Sequence, residues 1–390
     1  MFFNFSLFTF HFAFCTLHFA LSFFLEVTMK LAVIGCGYWG PNLVRNFVQS
    51  KQVQQVICCD MDSKKLERMK NLYPSVEVLS DYKALLECAD LDAVAIATPV
   101  KTHHPIAKEF LSQGKHVFIE KPLTHSYETA MELISLAEEK KKILMVGHTF
   151  EYTAAVNKVK SIIENGELGK ILYISSIRVN LGLFQPDINV VWDLAPHDIS
   201  IILYLLGETP VSVNSQGKAH FQPDIEDVAT TTLNFKNGII AFIHNSWLDP
   251  NKIRKTTIVG TKKMLVYDDI ESQEKIKIYD KGVDIPPYYD TYADFQFSYR
   301  YGDIYSPRIE DYEPLKKECE HFLACIQKGV CPLSDGYSGL RVVSILEAAS
   351  KSLKFSGRAV PLRGLKVMNQ RAKANGNGNG HGVALANGWK

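Results

Sequence analysis

None of the eight cysteines forms a C-x-x-C pair, and their spacings outline neither a disulfide framework nor a zinc site. Reduced thiols, no metal and a cytoplasmic location are therefore expected. Net charge is also nearly absent, with 43 basic residues against 42 acidic ones, which removes the electrostatic footprint of a nucleic-acid partner. No internal repeat occurs. Residues 1–28 contain no Lys or Arg and no clear small-residue cleavage site, so they lack the marks of a secretory signal peptide. Their length would allow a membrane span, yet Met29 stands directly before a strand that reads as the natural start of a domain. A mis-assigned start and a leader or anchor remain the two readings of that segment, with membrane association not expected. At the other end, residues 363–390 run into "ANGNGNGHGVALANGWK", too poor in apolar side chains to fold, and read as a disordered tail.

What is present is ordinary for a globular enzyme: 390 residues, 46% hydrophobic and 22% charged, enough for two domains that each bury a core. From Lys30 the chain reads "KLAVIGCGYWGPNLVRNF", a short apolar strand entering Gly35, Gly37 and Gly40 and then a helical pattern. The three glycines match G-x-G-x-x-G in the strand, turn and helix context that gives it meaning. Gly35 permits the tight turn, Gly37 lets the backbone approach a pyrophosphate, and Gly40 allows the helix to pack closely on the strand. The next strand, "QQVICC", ends at Asp60, twenty residues past Gly40, where a carboxylate would accept hydrogen bonds from the ribose hydroxyls. That carboxylate would repel a 2′-phosphate, so NAD is expected rather than NADP. The plainer role for Asp60 is to open a turn with Asp62 and Ser63.

Strand and helix keep alternating through "DAVAIATP", "KHVFIE" and "KILMVG". This rhythm implies a doubly wound parallel sheet with ligands at the carboxyl ends of its strands. Beyond Gly147 the pattern changes. After the amphipathic "AAVNKVKSIIENGELG" come "KILYISSIRVN", "DVATTTLNF", "GIIAFIHNSW", "RKTTIVG" and "KMLVYDD", strands without intervening helices, and two late helical segments follow. The expected fold is thus α/β plus α+β. A Rossmann domain spans residues 29–149, and a domain on a large, open, mostly antiparallel sheet spans 150–362. The Tyr-dense "IPPYYDTYADFQFSYRYGDIYSP" reads as a loop, either stacking on a base or sugar or covering the sheet at a subunit contact.

Taken in order, "GCGYWG", "ATPVKTHH", "EKPL" and "WDLAPHDIS" resemble the Gfo/Idh/MocA family of sugar and polyol dehydrogenases, from about Met29 to Leu362. The resemblance implies a nicotinamide cofactor, a catalytic lysine in E-K-P matched by Lys121, and a D-x-x-x-H pair on a substrate-domain helix matched by Asp193 and His197. It also implies oligomer contacts through the C-terminal sheet, hence a homodimer or homotetramer. One departure is that "NVVWD" replaces the glycine run that often precedes that aspartate, which leaves the pair intact but changes the surroundings of the pocket. Within the family, "MVGHTFEY", "NGELGKI" and "WDLAPHDIS" look like members that oxidise the 3-hydroxyl of UDP-linked amino sugars in surface-polysaccharide pathways.

Spacing four residues apart places Asp193 and His197 on one helical face. Histidine, with an ordinary pKa of about 6.5, suits removal of a hydroxyl proton. Asp193 would orient the sugar, and the ammonium of Lys121 would stabilise developing alkoxide charge. Further cofactor contacts are expected from Tyr38 and Trp39 in the glycine loop, from Thr98 and Pro99 beside the nicotinamide, and from His103, Glu120 and Lys121. Lys121, Asp193, His197, His148, Arg178 and Asn180 are the candidate substrate contacts. Each has a structural competitor: Asp193 as a helix N-cap ahead of Pro196, His197 as a buried helix residue, Lys121 as a surface lysine. His103 and His104 would cap a helix, His148 would close a strand, and Arg178 and Asn180 would face solvent. The reading is therefore an NAD-dependent dehydrogenase of a UDP-linked N-acetylated sugar, with two alternatives: a free-polyol dehydrogenase of inositol type, or a regulator that binds NAD and sugar without turnover.

Overall fold

The computed structural model of the protein describes residues 28–284 and 298–362. The segment before Thr28, the tail after Leu362 and the first part of the Tyr-dense stretch lie outside the described residues. The chain divides into two compact units. One gathers the described residues up to Glu120 together with Ser135–Met145 and Leu315–Pro332. The other gathers Lys121–Ile134, Val146–Pro314 and Leu333 onward.

The first unit is built on β1 (Met29–Ile34), α1 (Gly40–Val48), β2 (Val53–Cys59), α2 (Ser63–Leu72), β3 (Glu77–Leu79), α3 (Lys83–Leu86), β4 (Ala93–Ile96), α4 (Val100–Ser112) and β5 (His116–Glu120). After α5 (Tyr127–Lys140), β6 (Leu144–Gly147) completes a six-stranded sheet of order β3-β2-β1-β4-β5-β6. The named registers β1 with β2, β1 with β4, β2 with β3 and β4 with β5 are all parallel. Sidedness explains the strand sequences: β4 and the end of β1 are buried on both faces, and accordingly read as unbroken apolar runs. The sheet order reverses at β1 and β4, the switch point where such sheets bind ligands.

In the second unit, β6 is followed by a short 3-10 turn (Thr149–Tyr152) and α6 (Ala154–Glu164), whose first turn is capped by the Thr153 hydroxyl accepting from the Val156 amide. β7 (Ile171–Val179), α7 (Val190–Leu206), β8 (Ser212–Lys218), β9 (Val228–Asn234), β10 (Ile240–Ser246), β11 (Ile253–Gly260), β12 (Met264–Asp268), β13 (Ile276–Asp284) and β14 (Ser298–Tyr305) follow. Next come α8 (Pro314–Lys328), α9 (Gly336–Lys354) and β15 (Val360–Pro361). The nine-stranded sheet has the order β14-β13-β12-β11-β7-β10-β9-β8-β15, antiparallel except where β10 runs parallel to β7. Alternation along its strands buries one face beneath α7 and α9, in a core that includes Ile174, Leu233, Ala241, Ile258 and Leu346.

Two expectations change. The domains are not contiguous at residue 149, because α8 returns to the first unit and packs Phe322 edge-on against Phe118, ring centroids 5.7 Å apart. The Tyr-dense stretch is not loop throughout, since Ser298–Tyr305 is the edge strand β14. Arg300 holds that strand by donating to the carboxylates of Asp280 and Asp284 at 2.9 Å, a charged edge of the kind that resists further strand pairing.

Candidate functional site

In the first unit the glycine loop is shaped by steric need. A Cβ on Gly40 would lie 1.9 Å from the Gly35 carbonyl oxygen, and one on Gly35 would lie 2.6 Å from the Ala97 oxygen, at a left-handed φ of 97°. A Cβ on Gly37 would meet nothing within 4 Å, so the loop is open on that side. Closed at both ends and open in the middle, ahead of the N-terminus of α1, this cradle fits a dinucleotide pyrophosphate.

Asp60 closes the back of the loop. Its Oδ2 accepts from the Cys36 amide at 2.7 Å, its Oδ1 accepts from the Asp62 amide at 2.9 Å, and Lys65 Nζ stands 3.6 Å away. The turn-opening role is therefore real, and Asp62 goes on to cap α2 by accepting from Lys64 N. Each carboxylate oxygen keeps a lone pair for a ribose hydroxyl. Tyr38 is almost fully exposed and stacks on Trp39, with ring centroids 6.4 Å apart. Thr98 precedes Pro99, which stands at the N-cap position of α4. His103 lies inside the first turn of that helix rather than capping it. It is buried, with Nε2 2.7 Å from the Thr98 backbone oxygen. Glu120, buried, ends β5.

In the second unit, α7 starts earlier than the motif itself indicates. Asn189 is the N-cap, its side chain accepting from the Trp192 amide, and Asp193 therefore sits a full turn inside the helix and is not its cap. Pro196 is also interior, and lacks the amide proton that would bond the Trp192 carbonyl. Lys121 is half-buried and donates from Nζ to the Asp193 carbonyl oxygen at 3.1 Å. This contact uses one of its three N–H groups. The Asp193 carboxylate accepts from Trp247 Nε1 at 3.0 Å through Oδ2.

His197 packs edge-on against Phe150, with ring centroids 5.1 Å apart. Burial first, then the nearby charges of Lys121, Arg178 and Arg254, holds its imidazole well below 6.5, and the ring is neutral at physiological pH. His148 is buried beside Arg341 and Lys121, and burial followed by those cations lowers it to about 3. Neither of its ring nitrogens bonds any described residue, an uncommon state for a buried polar ring.

Arg178 is not a solvent-facing strand residue. It is buried, lies 4.8 Å from the Phe150 ring centroid, and donates from Nε to Asp198 Oδ2 at 3.0 Å. Asp198 also accepts from the Ser176 hydroxyl at 2.9 Å and from Asn245 Nδ2 at 3.4 Å. The pair thus fixes α7 to the sheet, and the charge of Arg178 still reaches His197. Asn180, half-buried at the end of β7, donates its amide to the Ser246 carbonyl at 3.1 Å. Four residues that motif reading missed thus belong to this cluster: Phe150, Asp198, Trp247 and Arg254. All but Asp198 arrive from distant chain segments. Among the described residues no group of three or more His, Cys, Asp or Glu could hold a metal, and no helix is long and apolar enough to cross a membrane.

Comparison with known proteins agrees with this layout. Residues 29–148 match the oxidoreductase family model of the NAD-binding Rossmann fold, and residues 156–266 match the GFO/IDH/MocA C-terminal domain. The chain belongs to the Gfo/Idh/MocA oxidoreductase family. Its Rossmann unit is accordingly an NAD-binding one. Among its relatives is UDP-N-acetylglucosamine 3-dehydrogenase of Acidithiobacillus ferrooxidans, 27% identical over 82% of this chain and 95% of that protein. A solved structure of the same relative superposes with a TM-score of 0.69 at 25% identity, over 84% of this chain and 99% of the other. The scyllo-inositol 2-dehydrogenase of Bacillus subtilis is 26% identical over 79% of this chain and 89% of its own length. Named relatives are therefore dehydrogenases both of a nucleotide sugar and of free polyols.

Proposed function

We propose that the chain oxidises a secondary hydroxyl of a sugar with NAD, acting at the 3-position of a UDP-linked N-acetylated sugar in surface-polysaccharide biosynthesis. The observation that carries the reading is the convergence on one helix of a neutral His197, the Asp193 carboxylate and the Lys121 ammonium. Neutral imidazole can accept the hydroxyl proton, which a protonated one could not. The ammonium stabilises negative charge as it develops on the oxygen, and the Asp193 oxygen not held by Trp247 is free to accept from a substrate hydroxyl and orient the ring. His148 offers one donor and one acceptor to the same ring, and its burial calls for such a partner. NAD, when bound, supplies the two-electron acceptor for the hydride that leaves the carbinol carbon, so that alcohol and NAD give ketone, NADH and a proton.

A second reading, oxidation of a free inositol-type polyol, draws on the similarity to scyllo-inositol 2-dehydrogenase. The test is NADH formation at 340 nm with UDP-sugars beside inositols, with 2-oxoglutarate added as an acceptor for retained hydride and the keto product identified by mass spectrometry. A 3-keto UDP-sugar lost in Lys121→Ala supports the first reading, and a keto-inositol supports the second. NAD binding without product from either class would favour a regulator.

Self-association is part of the proposal. Tyr173, Ile240 and Phe242 share the outer face of the nine-stranded sheet and are 40%, 37% and 45% exposed. An apolar group on an open sheet suits a homodimer or homotetramer contact. Phe242→Glu is expected to lower the mass measured by light scattering.

A further inference from the structure

We propose that Trp247 is a positioning residue that fixes the Asp193 carboxylate for the reaction, a role that rests on the site reading above. Trp247 is 1% exposed, and its indole N–H has Asp193 Oδ2 as its acceptor at 3.0 Å. A buried indole needs an acceptor, and a backbone carbonyl would satisfy that need equally well. Here the acceptor is instead one of the two carboxylate oxygens of the residue that faces substrate. Because indole nitrogen can only donate, the contact requires an oxygen at that position, so it fixes the side-chain torsion of Asp193 and leaves Oδ1 with a defined direction.

The donor is itself held on several sides. The Trp247 amide donates to the Asp227 carbonyl at 2.9 Å, and the Trp247 carbonyl accepts from the Gly182 amide at 2.9 Å. A Cβ on Gly182 would come within 2.8 Å of Trp247 Cδ1, so the loop after β7 lies against the indole only because that residue has no side chain. Phe184 from the same loop packs on the ring at 5.4 Å between centroids. Asp227, fully buried, accepts from the His220 and Phe221 amides at 2.7 and 3.2 Å, anchoring the neighbouring loop. A donor built into the core in this way does not reorganise when substrate enters, which is what a carboxylate acting by orientation requires.

The experiment compares turnover of the wild type, Trp247→Phe, Asp193→Ala and the double variant, with NAD affinity and thermal unfolding measured alongside. Trp247→Phe is expected to lower kcat by about tenfold to a hundredfold, the worth of a hydrogen bond to a charged group, with NAD affinity unchanged. In the Asp193→Ala background the same change should cost no more than about twofold, since coupled residues are non-additive. Equal losses in both backgrounds would overturn the proposal, because a purely packing role acts whether or not Asp193 is present. A second readout does not depend on turnover or on the folding of Trp247→Phe. The chain has four tryptophans, and the indole N–H resonance of Trp247 can be assigned by replacing Trp39, Trp192 and Trp389 in turn. That resonance should shift in Asp193→Ala, and an unmoved resonance would overturn the contact. If the wild type oxidises no sugar or polyol, the reading of the site fails, while the resonance still decides whether Trp247 holds Asp193.

Discussion

The glycine loop of the first unit and the Lys121, Asp193, His197 cluster of the second are built by opposite means. In the loop, the shape is made by backbone: closure at Gly35 and Gly40, an open side at Gly37, and one carboxylate at Asp60 that braces the turn. Most of it lies within a single strand, turn, helix and strand of the chain, with Ala97 after β4 closing against Gly35. In the cluster, side chains are held by other side chains, drawn from the segments that follow β5, β6 and β10 and from β7, α7 and β11. A locally encoded site tolerates change around it, whereas one assembled from distant strands depends on the packing that brings them together.

That contrast is broken most strongly at Asp198. Asp198→Ala would leave the Arg178 guanidinium buried without its carboxylate, a cost of about 3–5 kcal/mol, with stability measured by urea unfolding. NAD titration of the folded fraction should be unaffected, since the loop shares no residue with this pair. The reverse break comes from Gly40→Ala. Its added methyl would overlap the Gly35 oxygen, at about 1–3 kcal/mol for overpacking. NAD affinity, measured by quenching of protein fluorescence, should fall by at least about tenfold, while the Asp198 network stays intact.

A smaller effect sharpens the same difference through pH. Burial, the main cause, pushes Glu151 up to about 8 from its ordinary 4.5, so it is neutral in the folded chain at pH 7. Between those two values the folded state holds a proton that the unfolded state has released, and stability therefore falls as pH rises through that window. Glu151→Gln keeps the neutral shape and removes the titration. Its unfolding free energy should decline less steeply between pH 5 and 8 than that of the wild type, by roughly a few kcal/mol across the window.

The sequence disclosed these regions unequally, and for physical reasons. The Rossmann order, the glycine roles and the strands β7, β9, β10, β11 and β12 were legible because each is written in local periodicity and turn residues. β14 was not, since its residues are mostly exposed and bury no apolar face; it is held by its backbone ladder to β13 and by Arg300 on Asp280 and Asp284. The pairing of Asp193 with His197 was visible as helical spacing, but Asn189 as the true cap was obscured by "NVVWD", where the helix begins before the motif. Trp247 and Asp198 carried no signal of their own: one is a single aromatic just past a strand end, the other a lone carboxylate next to His197 whose partners Arg178, Ser176 and Asn245 come from the sheet. Only the tertiary fold gives either its partner.

The most direct test is the rate of NADH formation by His197→Ala with the UDP-sugar or inositol that the wild type oxidises. A loss of about 10²–10⁴-fold in kcat is expected, the usual worth of a general base, with NAD affinity and thermal stability close to those of the wild type. Turnover within a few-fold of the wild type would contradict it, because the hydroxyl proton would then be leaving by a route in which His197 takes no part.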